Sequence, residues 1–187
     1  MNNCTKFTCL IIFFALMLKL SALNIDDNVP NFEAINSNEK LWKFENFRNK
    51  KYVLIFFYPA AMTGGCTKQV CSYRDSHDQW KNENVEIVGI SGDQVKNLTL
   101  FRKAEKIPFT LLSDPNGKIA NLFNVPTQKG GIIERFYMGN KYTLTRGVTS
   151  MRWTFLISKS GKIIYKNNQV DPTKDSQTVL EFIDKLK

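Results

Sequence analysis

The chain predicts an α/β fold, a mixed central β-sheet flanked by helices, and three observations carry that expectation. Tyr52–Tyr58 and Val85–Ser91 are continuous runs of apolar, aromatic and β-branched residues with strand length and little polar alternation, as suits strands covered on both faces. Segments of helical spacing separate them, so strand and helix alternate as in a layered α/β protein. Late in the chain the pattern changes to two strands joined by a tight turn and then a last helix, which makes the sheet mixed. A chain of 187 residues, 43% of them apolar and 14 of them Phe, suits one domain with an ample core.

Taken in order, Met1 to about Ala22 differs in kind from the rest. Lys6 precedes the apolar run Cys9–Leu18, and Ser21-Ala22 offers small residues, the pattern of a secretory signal peptide. The run is too short to span a bilayer, which takes about 20 residues, and Lys19 interrupts it. An uncleaved anchor is the alternative. Cleavage would discard Cys4 and Cys9, leave a domain over residues 23–187 with no stable membrane association, and send it to a secreted or periplasmic destination or a eukaryotic secretory lumen.

Val29–Ala34 reads as a short extended piece, and Lys40–Phe47 as a turn of helix or loop. The strand Tyr52–Tyr58 stops at Pro59, which has no amide for a central ladder. From Cys66 a helical pattern with Val70, Tyr73 and Trp80 runs to about Asn82. Val85–Ser91 is the second buried strand. Val95–Lys106 is helical through Leu98, Phe101 and Ala104, and Pro108 ends it before a third strand, Phe109–Leu112. Asp114-Pro115-Asn116-Gly117 is turn chemistry, followed by a short helix from Lys118 to Phe123. Pro126–Thr149, punctuated by glycines, reads as a loop with at most one strand. Trp153–Ser158 and Lys162–Lys166 form a hairpin about Lys159-Ser160-Gly161. Thr173 or Asp175 opens the last helix, with Val179, Leu180, Ile183 and Leu186 on one face.

The chemistry concentrates where the first buried strand hands over to a helix. Gly64-Gly65 gives the backbone freedom just ahead of Cys66. A helix N-terminus has free amides and a positive dipole end, which favour thiolate over thiol. Cys66 is therefore a candidate nucleophile, the alternative being a buried structural cysteine. Thr63 can cap the helix or hold a polar ligand over the sulfur. Cys71 lies five residues on. On an intact helix that spacing puts the two α-carbons about 9 Å apart, whereas a disulfide needs roughly 4.4–6.8 Å. The pair can bridge only if the first turn unwinds, which suits a redox cycle better than a permanent staple.

The spacing Pro59-x-x-x-Thr63-x-x-Cys66, with Cys66-Thr-Lys-Gln-Val-Cys71 after it, resembles the peroxiredoxins, and among them the peroxiredoxin Q or bacterioferritin comigratory group. Ser72–Asp75, Val88–Asp93, Leu111–Asp114 and Arg152–Ile157 match as well, so the likeness runs from about residue 25 to 187. It implies a thioredoxin-like fold and a thiol peroxidase acting on hydrogen peroxide or organic hydroperoxides. Cys66 would be the peroxidatic cysteine and Cys71 the resolving one. Arg152 would steady the thiolate and the peroxide oxygens, Thr63 would hydrogen-bond the peroxide or sulfur, and Pro59 would shape and shield the loop. A thioredoxin-like or other dithiol reductant is the implied partner, no bound cofactor is implied, and relatives of the group suggest a monomer. One departure stands out. Relatives commonly carry Pro-Gly where this chain has Gly64-Gly65, which predicts a looser loop.

Competing readings are weaker on the residues. His77, the single histidine, is about 16 Å along a continuous helix from Cys66, too far for a cysteine–histidine pair. Two cysteines and one distant histidine fall short of a zinc set. A thioredoxin-type oxidoreductase would use C-x-x-C, which is absent. A non-enzymatic domain stapled by Cys66 and Cys71 conflicts with the helical distance. The net charge of +9 is spread over Lys- and Asn-rich positions without interleaved aromatics, so it predicts a solvated basic face and no nucleic-acid partner.

Overall fold

A computed structural model describes residues 23–187, and the expected signal peptide lies outside the described residues. Among the described residues, nine strands and five α-helices follow in the order β1 (Glu33–Ile35), β2 (Leu41–Lys43), β3 (Tyr52–Phe57), α1 (Gly64–Asp75), α2 (His77–Asn82), β4 (Val85–Ser91), α3 (Val95–Ala104), β5 (Thr110–Ser113), α4 (Lys118–Leu122), β6 (Thr127–Tyr137), β7 (Asn140–Ser150), β8 (Thr154–Ile157), β9 (Ile163–Asn167) and α5 (Asp175–Asp184). A 3-10 turn, Phe44–Asn46, follows β2.

The main sheet has five strands in the order β5-β4-β3-β8-β9. β3 is central, parallel to β4 and antiparallel to β8, and β4 and β5 are parallel while β8 and β9 are antiparallel. The sheet is mixed, as the sequence predicts. Its continuous apolar strands divide by the twofold alternation of a pleat. Leu54, Phe56 and Tyr58 join Val70, Tyr73, Leu98, Phe101 and Val179 on the face covered by α1, α2, α3 and α5. Val53, Ile55 and Phe57 join Trp42, Phe44, Ile119 and Phe123 on the other. β3 is apolar along its length because both of its faces are interior.

Both edges of the sheet are covered over part of their length. At β5, the Ser37 amide donates to the Leu111 carbonyl at 2.9 Å and Asn36 bridges Leu112. At β9, residues 26–29 run alongside: the Asp26 amide donates to Ile163, the Ile163 amide to Asp27 and the Val29 amide to Gly161, at 2.8, 3.0 and 2.9 Å.

The structure corrects the sequence in four places. Residues 126–149 are not a loop but most of a long hairpin, β6–β7, paired from Thr127↔Ser150 to Tyr137↔Asn140. Its turn residues Met138 and Gly139 have φ +49° and +77°, the two positive values of a type I′ turn, without the Asn-Gly that signals one. Its glycines mark close approach rather than looseness: a Cβ on Gly147 would collide with the Pro115 carbonyl oxygen, and one on Gly130 with that of Arg146. Second, the helix after Cys66 breaks at Ser76, whose hydroxyl donates back to the Ser72 carbonyl and shares a hydrogen bond with Ser176. Third, within Lys40–Phe47 the expected turn of helix is present as the 3-10 turn, but strand β2 precedes it. Fourth, Leu186 lies beyond α5 and is exposed.

Candidate functional site

Cys66 is the third residue of α1 and is 2% exposed, packed among Ala61, Val70 and Tyr73. Thr63 occupies the N-cap with φ −109° and ψ 150°, but its side chain does not cap the helix. Its hydroxyl instead donates to the Ala60 carbonyl at 2.8 Å, tying the loop to itself and leaving oxygen lone pairs free to accept. The amides of the first turn have no intrahelical acceptors. Gly64-Gly65 forms the first two helical residues, so the looser loop expected from this pair is not what folds. Neither glycine has a positive φ, and no clash would exclude a side chain at either.

Pro59, half-buried, follows β3. The loop it opens is held from three sides. The Ala61 amide donates to Asp93 Oδ2 at 2.8 Å, Arg135 Nε of the hairpin donates to the Met62 carbonyl at 2.8 Å, and the Ser150 hydroxyl donates to the Tyr58 carbonyl at 3.1 Å. Met62 sits in the left-handed region at φ +57°, where a non-glycine residue needs such support. Asp93 is fully buried and also accepts from the Ser91 hydroxyl at 2.9 Å. Burial pushes its carboxyl above the usual range, against the opposing pull of those donors.

Arg152 stands between β7 and β8 and reaches across the helix start, its Nη2 3.4 Å from Cys66 Sγ. Its Nη1 donates to Gln69 Oε1. Gln69 Nε2 in turn donates to Asp175 Oδ2 at 2.7 Å, an oxygen that also accepts from the Tyr73 hydroxyl at 2.7 Å and the Thr154 hydroxyl at 2.8 Å. A buried thiol, a directed guanidinium and unpaired helix amides make a setting suited to an anionic sulfur and to oxygen atoms brought against it.

Cys71 lies on the same unbroken helix as Cys66, and both are free thiols. Its sulfur faces elsewhere, donating to Glu105 Oε2 at 3.6 Å. Burial pushes this thiol up. Arg74 opposes the rise, and the Glu105 and Asp75 carboxylates add to it. Arg74 Nη1 donates to the Glu105 carbonyl at 2.7 Å, so this arginine braces the second cysteine rather than the first. His77 opens α2 beyond the break at Ser76, with its ring lowered toward neutrality by burial and Lys81.

The structure thus brings Cys66 and Arg152 together beside the loop that carries Pro59 and Thr63, and leaves Cys71 in its own niche. Sequence reasoning missed Gln69, Asp93, Arg135 and Asp175. Each contacts the site through partners far along the chain, and only Gln69 and Asp93 fell inside stretches that the family resemblance had marked.

Residues 25–166 match the family described as AhpC/TSA. A chloroplastic peroxiredoxin Q of Triticum aestivum is 35% identical over 158 residues, covering 84% of this chain and 65% of that protein. The chain therefore spans just under two thirds of that relative's length. A protein named putative peroxiredoxin bcp, of Haemophilus influenzae, is 34% identical over 167 residues, 89% of this chain and 100% of that one. Among solved structures, the peroxidoxin BcpB of Mycobacterium tuberculosis superposes with a TM-score of 0.73 at 26% identity, over 88% of this chain and 99% of that one. A cysteine-to-serine mutant of Xylella fastidiosa PrxQ superposes with the same score of 0.73 at 22% identity, over 89% and 98%, which speaks for the fold alone.

Proposed function

The chain belongs to the AhpC/TSA family and, within it, to the peroxiredoxin Q and bacterioferritin comigratory group, and from this premise we propose that it is a thiol-dependent peroxidase. The observation that carries the proposal is Arg152 Nη2 placed 3.4 Å from the sulfur of Cys66 in the first turn of α1. The Cys66 thiolate attacks one oxygen of a hydroperoxide, an S–O bond forms as the O–O bond breaks, and the sulfur is oxidised to sulfenic acid. The leaving oxygen takes a proton and departs as water or alcohol. The guanidinium and the first-turn amides stabilise negative charge on the sulfur and on the separating oxygens. Thr63 offers hydroxyl lone pairs to the peroxide proton, and Pro59 closes the loop over the thiolate.

Resolution follows from Cys71. Its thiol attacks the sulfenic sulfur, the S–S bond forms, and water leaves. The two cysteines share one continuous helix, so α1 must unwind before the bond can form. A thioredoxin-like dithiol then returns both sulfurs to thiols and is itself oxidised to a disulfide. We take the acting unit as a monomeric domain over residues 23–187, reducing hydrogen peroxide and organic hydroperoxides. Residues 1–22 serve in this proposal as a signal peptide for a secreted or periplasmic location. Mass spectrometry of the mature N-terminus tests that assignment, with an intact Met1 counting against it.

Peroxide consumption by two variants tests the chemistry. Cys66→Ser should be inactive. Cys71→Ser should consume one equivalent of peroxide per chain and then stop with a thioredoxin-like donor. Activity retained in Cys66→Ser would sink the proposal.

A further inference from the structure

One buried carboxylate tied into this region is not used by the thiol chemistry above. Asp175, in the first turn of α5, is 2% exposed, and three donors converge on its Oδ2 from two other elements: Gln69 and Tyr73 of α1, and Thr154 of β8. Its Oδ1 is buried without a hydrogen-bond partner among the described residues. A buried carboxylate is costly to keep, and this one is only half compensated. Burial raises its affinity for a proton, while the three donors and the Arg152 charge act against that.

What the arrangement secures is the direction of an amide. A glutamine can present either its oxygen or its NH2 to a neighbour. With Gln69 Nε2 committed to Asp175 Oδ2, Oε1 is left to face Arg152, the polarity a guanidinium needs, and it accepts from Nη1. Nη2 of the same planar group then lies on the Cys66 sulfur. A rotated amide would set NH2 against the guanidinium and push it off the sulfur. We propose that Asp175 is a positioning residue that acts through Gln69 to hold the Arg152 guanidinium on Cys66.

This inference deepens the proposed function but is tested without peroxide. Cys66 is alkylated by iodoacetamide as a function of pH in a Cys71→Ser background. The groups facing the sulfur there are Arg152, backed by Asp175, and the Tyr58 phenol, which burial keeps protonated. Asp175→Asn should slow alkylation at neutral pH about tenfold or more and move the midpoint of the pH profile upward. Gln69→Met, which keeps the volume and removes the amide, should do the same. In an Arg152→Gln chain, adding Asp175→Asn should change nothing further, because the link it acts through is gone. An unchanged profile in both folded variants, or an effect that persists without Arg152, overturns the inference. Peroxidase inactivity of the unmutated chain would instead overturn the proposed function and leave this alkylation result standing.

Discussion

At the scale of single residues, the candidate site side chains Cys66, Thr63 and Arg152 were legible and those that brace them were not. Cys66 and Thr63 announce themselves by their place after a strand-ending proline, and Arg152 by its family stretch. Asp93 and Asp175 carry no such local mark. Asp175 meets Gln69 across 106 positions and Asp93 meets Ala61 across 32, distances at which no periodicity speaks. Asp93 also shapes the response to pH. Burial raises its folded-state proton affinity, so in the window where folded and unfolded states differ the folded protein holds more proton. Its contribution to stability is therefore greatest below the unfolded carboxylate value of about 3.9 and is lost as pH rises through the higher folded value. Denaturant midpoints measured from pH 4 to 7 should fall less steeply with pH in Asp93→Asn than in the parent chain. Equal slopes would count against this account.

At the scale of elements, the strands β3, β4, β8 and β9 and the helices α3 and α5 could be read within a few residues, because their apolar spacing matches their environment on the two faces of one sheet. The β6–β7 hairpin could not. Its glycines serve approach to Pro115 and to the neighbouring backbone, a requirement set by a distant loop, and in sequence they look like loop residues. The helix start offers a sharper test of local rules. Gly64 is the first helical residue, the space where its side chain would sit is open, and Thr63 before it has the extended φ and ψ that a following proline demands. Gly64→Pro should therefore stabilise the protein by about 0.4–1 kcal/mol, chiefly by narrowing the unfolded ensemble. Thermal or urea unfolding checks this, and a destabilised variant would show that the first turn needs the Gly64 amide. Gln69 also lies between the two cysteines, so in the proposed cycle the unwinding that joins them would draw Gln69 away from Arg152.

At the scale of the whole molecule, the α/β class and the mixed sheet were legible because strand–helix alternation followed by a hairpin leaves few alternatives. What closes the sheet at β9 was not, since residues 26–29 are mostly polar and pair by backbone alone. That thin strip has a practical meaning for the protein's life among proteases. A cut after Pro30 would take it away along with Val29, which is 1% exposed, and leave the Ile163 amide and the Ile163 and Gly161 carbonyls at the head of β9 facing water. Chains trimmed to residue 31 should then stack on one another, seen as mass growing with concentration in light scattering, while chains starting at residue 23 keep a constant mass. Identical behaviour of the two would mean that β9 guards its own flank. Otherwise, a few residues at the front of the fold keep its sheet edge from meeting that of another copy.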